Sequence, residues 1–94
     1  MAGNWKWYIV YWSVRSSPYV VDVATSKKEA IRLATKYAIE GEWPVRPAEV
    51  ARELEKYEEL DIMGEFGLFL IKARNSKEAL AKARKLVSYK MDVW

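Results

Sequence analysis

The sequence predicts an α+β fold, a two-layer sandwich in which an antiparallel or mixed sheet of about four strands carries its helices on one face. One observation behind this prediction is an internal repeat, since residues 24–37 and 73–86 align without gaps at an offset of 49 residues. A second is that each copy follows an apolar run typical of a β-strand. A third is the order of strand-like and helix-like segments, β-β-α-α-β-α-β, which is typical of a ferredoxin-like or related pseudo-twofold layout. A chain of 94 residues is too short for two cores, so we expect a single domain over residues 1–94.

The first predicted element is a β-hairpin. Residues 5–14 (WKWYIVYWSV) are rich in aromatic and β-branched side chains, and residues 18–24 (PYVVDVA) resume that pattern after a short polar break. Pro18 fits the first position of a strand, where no backbone donor is required. Asp22 lies inside the second apolar run, where an unpaired buried carboxylate would be costly. We expect it to be exposed at an edge or salt-bridged, and not to be catalytic.

Each copy of the repeat predicts a capped amphipathic helix that packs on the sheet. Ser26 precedes Glu29 by three residues, and Asn75 precedes Glu78 in the same way, which is the spacing of a capping box. Apolar residues then follow at i, i+1, i+4, i+7 and i+8, namely Ala30, Ile31, Ala34, Tyr37 and Ala38 in the first copy and Ala79, Leu80, Ala83, Leu86 and Val87 in the second. The small alanines predict a close approach of helix to sheet.

The insert between the copies predicts a further helix and a strand. Residues 41–46 (GEWPVR) end the first helix, and residues 47–60 combine an early proline, many acidic residues and a narrow apolar stripe at Val50, Leu54 and Tyr57. Residues 65–73 (EFGLFLIKA) form the strand before the second copy, and Gly64 and Gly67 indicate a turn and a candidate bulge. The tail, residues 90–94 (KMDVW), predicts a short last strand.

Composition restricts the chemistry. The chain has no cysteine and no histidine, which removes thiolate nucleophiles, cysteine-based zinc sites and the commonest general base. No other base and nucleophile pair is recognisable, so we expect no enzyme activity, cofactor or metal site. Glutamine is also absent and asparagine is rare, which indicates a thermophilic source unless chance in a short chain explains it. No apolar stretch is long enough for a membrane span and no leader is recognisable, so we expect a cytoplasmic protein without membrane contact.

Charge is distributed unevenly. Residues 1–39 contain six basic and two acidic residues, residues 40–65 contain three and nine, and residues 66–94 contain seven and two. The repeat copies are therefore basic and the insert is acidic. The acidic group of Glu55, Glu58, Glu59 and Asp61 lacks the loop spacing of a calcium site. We expect it to pair with the basic helices, within the chain or across an oligomer.

The first strand suggests the leading function. Its aromatic residues are Trp5, Trp7, Tyr8, Tyr11 and Trp12. Strand alternation makes both faces apolar, and helices on one face would leave the other exposed. We therefore expect a non-catalytic assembly module that self-associates through these aromatics, with a homodimer as the first expectation. Burial of the rings within one chain, or a ligand on them, remains the alternative.

Nucleic-acid binding is the second functional hypothesis, because aromatic residues beside cations bind single strands by stacking and phosphate contact. The candidate residues are Lys6 and Arg15 beside the aromatic strand, and, on the outer helix faces, Lys27, Lys28, Arg32, Lys36, Lys77, Lys82, Arg84 and Lys85. A solvated surface is the simpler explanation of the helix cations. The signature of the common RNA-recognition fold is absent, and the acidic insert would repel phosphate nearby.

Overall fold

The computed structural model describes residues 5–13, 16–62 and 67–93. Its elements are β1 (Lys6–Ser13), β2 (Ser16–Ala24), α1 (Lys27–Glu40), α2 (Pro47–Leu54), β3 (Glu59–Asp61), β4 (Leu68–Ala73) and α3 (Ser76–Val93). The α+β class is confirmed, with one antiparallel sheet of four strands and three helices. Within the described ranges, no helix combines the length and apolar character that crossing a bilayer requires.

The sheet has the order β2-β1-β4-β3, so the aromatic strand β1 lies in the interior of the sheet. It pairs antiparallel with β2, where Trp7 lies opposite Ala24, and with β4, where Lys6 lies opposite Ala73. β3 contributes three residues at the far edge, with Leu60 opposite Leu70. The repeat units, β2–α1 and β4–α3, therefore flank β1 on its two sides.

The helices cover both faces of the sheet, which corrects the expectation of a two-layer sandwich with helices on one face. On the first face, α1 and α2 pack over a core that includes Trp7, Ile9 and Leu70. On the second face, α3 packs over a second core that includes Tyr8 and Val10, so the expectation of a single core is wrong, although both cores share one sheet. Because β1 and β4 are apolar on both faces, both faces must be shielded from water. The helix of one repeat copy packs on each face.

The two repeat units keep the same local packing despite lying on opposite faces. Both caps are confirmed, since Ser26 accepts a hydrogen bond from the backbone N–H of Glu29 at 3.2 Å and Asn75 accepts one from Glu78 at 2.8 Å. The paired alanines are all buried at 1% exposure or less, namely Ala24 and Ala73, Ala30 and Ala79, and Ala34 and Ala83. β2 and β4 both run antiparallel to β1 on its two sides, and their helices lie on opposite faces, so the two units have a pseudo-twofold arrangement about β1. The strand order is not that of a ferredoxin-like sheet.

β2 begins at Ser16, so Pro18 is its third residue and not its first as expected. Two larger differences from the sequence prediction lie in the insert and the tail. α2 ends at Leu54, and residues 59 and 60, expected in that helix, belong to β3 because their backbone pairs with β4. The expected last strand at residues 90–94 is wrong for residues 90–93, which continue α3. No glycine or proline interrupts residues 76–93, so nothing in that stretch stops the helix.

Candidate functional site

The aromatic residues predicted as an interface are mostly covered by the chain's own helices. Trp7, Tyr8 and Trp12 are 8%, 5% and 4% exposed, and Tyr11 is half-buried. Trp5 precedes β1 and is also partly exposed. The prediction of a free aromatic face therefore rested on the wrong layer arrangement, because α3 occupies that face.

The helix cations predicted for nucleic-acid binding do not form one surface. Lys28, Arg32 and Lys36 are exposed on α1, and Lys77, Arg84 and Lys85 are exposed on α3, which lies across the sheet. Arg32 is also engaged by Glu29, and this hydrogen bond with its ion pair lowers the pKa of the Glu29 carboxyl and raises the pKa of Arg32. Arg15 lies outside the described residues. A continuous ridge of phosphate contacts across both helices is thus not available.

The structure instead collects cations at one end of the sheet. The register places the start of β1 beside the ends of β2 and β4, and α1 and α3 begin just after those ends. We call this region the basic end and define it by its cations, Lys6, Lys27, Lys28, Lys72, Arg74, Lys77 and Lys82. All of them are exposed except Lys72 and Lys82, which are half-buried. Of the predicted cations, this region contains Lys6, Lys27, Lys28, Lys77 and Lys82.

Three of these cations surround one indole ring. The guanidinium carbon of Arg74 lies 4.9 Å from the Trp5 ring centroid, and the Nζ atoms of Lys82 and Lys72 lie 5.5 and 6.0 Å from it. Lys72 is also 5.9 Å from the Trp7 ring. A positive charge at such distances from a tryptophan face is attracted by the ring quadrupole. We call Trp5, Lys72, Arg74 and Lys82 the Trp5 cluster.

The charges of the Trp5 cluster are only partly balanced. Glu78 lies 3.9 Å from the ammonium of Lys82, and Glu58 lies 4.0 Å from that of Lys72. Lys82 also donates a hydrogen bond to the carbonyl oxygen of Lys72 at 2.8 Å, which fixes its position. Among the residues that the structure describes, Arg74 has no carboxylate partner. The cluster therefore carries a net positive charge beside a partly exposed aromatic ring.

The two sides of the basic end differ in charge. On the first face, a groove of about 330 Å³ is lined by Trp7, by the cations Lys27, Lys56 and Lys72, and by the acidic residues Glu55 and Glu58. The α3 side contains Arg74, Lys77 and Lys82, with Glu78 as the neighbouring carboxylate. An anion would therefore be attracted more strongly on the α3 side, where three cations accompany one carboxylate, than in the groove, where three cations accompany two.

Sequence reasoning missed Lys72 and Arg74. Their significance depends on the pairing of β1 with β4, which brings the end of one strand beside Trp5, 67 residues earlier than Lys72. The only signal in the sequence is that two cations, Lys72 and Arg74, occur at the end of an otherwise apolar segment.

Comparison with known proteins does not help to interpret this site. Comparisons with protein-family models, with curated proteins and with solved structures find no match for this chain.

Proposed function

We propose that this protein is a cytoplasmic, non-catalytic module that binds single-stranded nucleic acid at its basic end. The observation that carries the proposal is the Trp5 cluster, in which three cations lie within 6.0 Å of one ring centroid. Phosphate complements these charges, and a nucleobase complements the indole and the guanidinium plane. Single-stranded nucleic acid offers both groups on one flexible chain.

In the proposed complex, a base stacks on the layer formed by Arg74 and Trp5. The Arg74 guanidinium is exposed and lies over the Trp5 ring, so it presents a flat cationic surface backed by the indole. Arginine planes and aromatic rings both serve as stacking surfaces for unpaired bases. Lys82 and Lys77 then lie on the α3 side, where the flanking phosphates would pass. Stacking on one base is worth about 1–3 kcal/mol.

The cluster favours a single strand over a duplex for a geometric reason. Its aromatic surface consists of one ring, and stacking on that ring requires a base that is already outside a double helix. The lysines contact phosphate without reading base edges, so little sequence preference is expected.

The first experiment measures fluorescence anisotropy of a labelled oligothymidine of about ten nucleotides at about 50 mM salt. We expect binding to the single strand that exceeds binding to a duplex of equal length. With about four phosphate contacts, the logarithm of the association constant should fall with the logarithm of salt concentration at a slope of about −3. No binding under these conditions would refute the proposal.

Matched variants locate the contact. Arg74→Ala and Trp5→Leu should each weaken binding by roughly 5- to 100-fold, the equivalent of losing one stacked base. Arg84→Ala removes the same charge from the exposed surface of α3 outside the cluster and is the control. It should weaken binding about threefold or less. Equal losses for Arg74→Ala and Arg84→Ala would show that binding follows overall charge and not the Trp5 cluster.

Self-association is a second candidate function, favoured by the edge strand β2. This strand has nine residues at the edge of the sheet, and its Tyr19 and Val23 are 49% and 40% exposed. An exposed edge can pair with the same edge of a second copy. Three features weaken such pairing. Pro18 lacks an N–H, the register shifts opposite Ile9 and Val10, and the Asp22 carboxylate accepts the N–H of Val23 at 2.8 Å. We therefore propose a weak dimer of antiparallel β2 strands.

Light scattering from about 10 to 500 µM protein tests the dimer. We expect the mass to rise above 11.0 kDa in the upper part of this range. Val23→Lys should keep the protein monomeric, because a charge on an edge strand opposes pairing. Ile39→Lys makes the same change at an exposed position of α1 and should not alter the mass. A monomer throughout, or equal effects of the two variants, would exclude this dimer.

A further inference from the structure

Three tyrosines line a cavity at the end of the sheet opposite the basic end. The cavity has a volume of about 270 Å³, and its walls include Tyr11, Tyr19, Tyr37, Glu40 and Leu68. Tyr11 lies opposite Tyr19 in one strand pair and opposite Leu68 in the other, whereas the basic end lies at Lys6 and Ala73. We call it the tyrosine cavity. Its location makes it independent of the Trp5 cluster.

The rings are held in position by contacts within the chain. Tyr11 and Tyr19 pack edge to face, with their centroids 5.7 Å apart and their planes at 61°. The hydroxyl of Tyr37 donates a hydrogen bond to Asp22 at 3.0 Å, which fixes the third ring. A ligand entering the cavity would therefore meet aromatic surfaces that are already ordered, which lowers the entropic cost of binding.

The electrostatics of the tyrosine cavity favour a positive charge. Glu40 is exposed and has no cationic partner among the described residues. Glu40 is also the last residue of α1, and the final turn of that helix contains no basic residue. The partial negative charge of the helix C-terminus therefore adds to the charge of the Glu40 carboxylate. The ammonium of Lys36 lies 5.8 Å from the Tyr37 ring, a distance at which the quadrupole of an aromatic ring attracts a positive charge.

We propose that the tyrosine cavity binds an organic cation with an alkylated ammonium group. Faces of aromatic rings attract such a group, and Glu40 supplies the opposite charge. Val21 and Leu68 add apolar lining, which suits methyl groups better than the water shell of a small inorganic ion. This inference does not depend on nucleic-acid binding.

The test uses tetramethylammonium as the probe and follows the tyrosine ring resonances by NMR. We expect saturable shifts of the Tyr11 and Tyr19 resonances. Potassium at equal ionic strength and the neutral analogue 2,2-dimethylpropanol should bind at least about fivefold more weakly. Choline and a peptide with trimethyllysine, titrated in parallel, distinguish a small-molecule source of the cation from a protein source. Equal binding of tetramethylammonium and the neutral analogue would overturn the proposal, because the cavity would then recognise only shape.

Variants assign the interaction to named groups. Glu40→Gln and Tyr19→Leu should each weaken tetramethylammonium binding roughly three- to tenfold, and both positions are exposed enough to spare the fold. Glu42→Gln removes an exposed carboxylate two residues further along the chain and should change binding less than twofold. Arg74→Ala should leave it unchanged, which separates this site from the basic end. Equal effects of Glu40→Gln and Glu42→Gln would contradict the assignment.

Discussion

The hydroxyl of Tyr37 on α1 donates a hydrogen bond to the carboxylate of Asp22 on the edge strand β2, with 3.0 Å between the oxygens. The second carboxylate oxygen accepts the backbone N–H of Val23 at 2.8 Å. The expectation that Asp22 is exposed or salt-bridged is thus met only in part, since it is half-buried and its partners are a phenol and an amide. The equivalent residue in the other repeat unit is Ile71, which is fully buried, so this contact belongs to the first unit alone.

Replacing Tyr37 with phenylalanine should destabilise the protein below about pH 10 and lose that effect at higher pH. The hydrogen bond to Asp22, with smaller contributions from burial and from the Asp22 and Glu40 charges, raises the pKa of Tyr37. The folded protein therefore keeps a proton that the unfolded chain releases first. This stabilisation is complete below the ordinary tyrosine pKa of about 10 and is lost as the pH rises through the raised pKa. Urea unfolding of both proteins from pH 8 to 11 measures the difference, and a difference that stays constant over this range would contradict the account.

The two helix caps should contribute similar free energies of unfolding. Ser26 and Asn75 each accept the backbone N–H three residues later, so Ser26→Ala and Asn75→Ala should each cost about 1 kcal/mol. Ser88→Ala changes an exposed residue inside α3 and provides the control. It should shift the unfolding midpoint in urea very little. If Asn75→Ala had no larger effect than Ser88→Ala, the repeated cap would have no energetic role.

The sequence was informative wherever a local pattern decides the structure. The spacing of Ser26 and Glu29, with its repeat at Asn75 and Glu78, located the start of both helices to within a residue. Burial of the alanine pairs followed from the same repeat. These features depend on neighbours within one turn of helix, and the sequence contains all of those neighbours.

The sequence did not show which face each helix would cover, because that depends on register. Ala24 and Ala73 are equivalent in the repeat, yet Ala24 pairs with Trp7 whereas Ala73 pairs with Lys6. A difference of one residue along β1 places them on opposite faces of the sheet. The pairing of β1 with β4 also brings Arg74 beside Trp5. The candidate site therefore could not be predicted from the sequence, for the same reason that the layer formed by α3 could not.

Gly67→Ala should destabilise the protein by at least about 2 kcal/mol. Gly67 has φ of 71°, and a Cβ atom there would lie 2.5 Å from the Trp12 carbonyl oxygen and 2.6 Å from its ring. Its own carbonyl accepts the N–H of Trp12 at 2.8 Å, so the backbone cannot easily move away. Gly41→Ala is the control because φ there is −84°, which alanine adopts without strain. Urea unfolding of the two variants should separate them clearly, and similar midpoints would show that the contact with Trp12 relaxes freely.

Ala34→Leu and Ala83→Leu should each destabilise the protein by about 1–3 kcal/mol, because both alanines are fully buried between a helix and the sheet. Ala34 belongs to the core of the first face and Ala83 to that of the second. Since the sheet separates them, the double variant should lose the sum of the two single effects to within about 0.5 kcal/mol. If α1 and α3 instead packed side by side on one face, the two leucines would lie in the same core and would interact. A coupling free energy above about 1 kcal/mol in urea unfolding would therefore contradict the three-layer arrangement and restore the two-layer prediction.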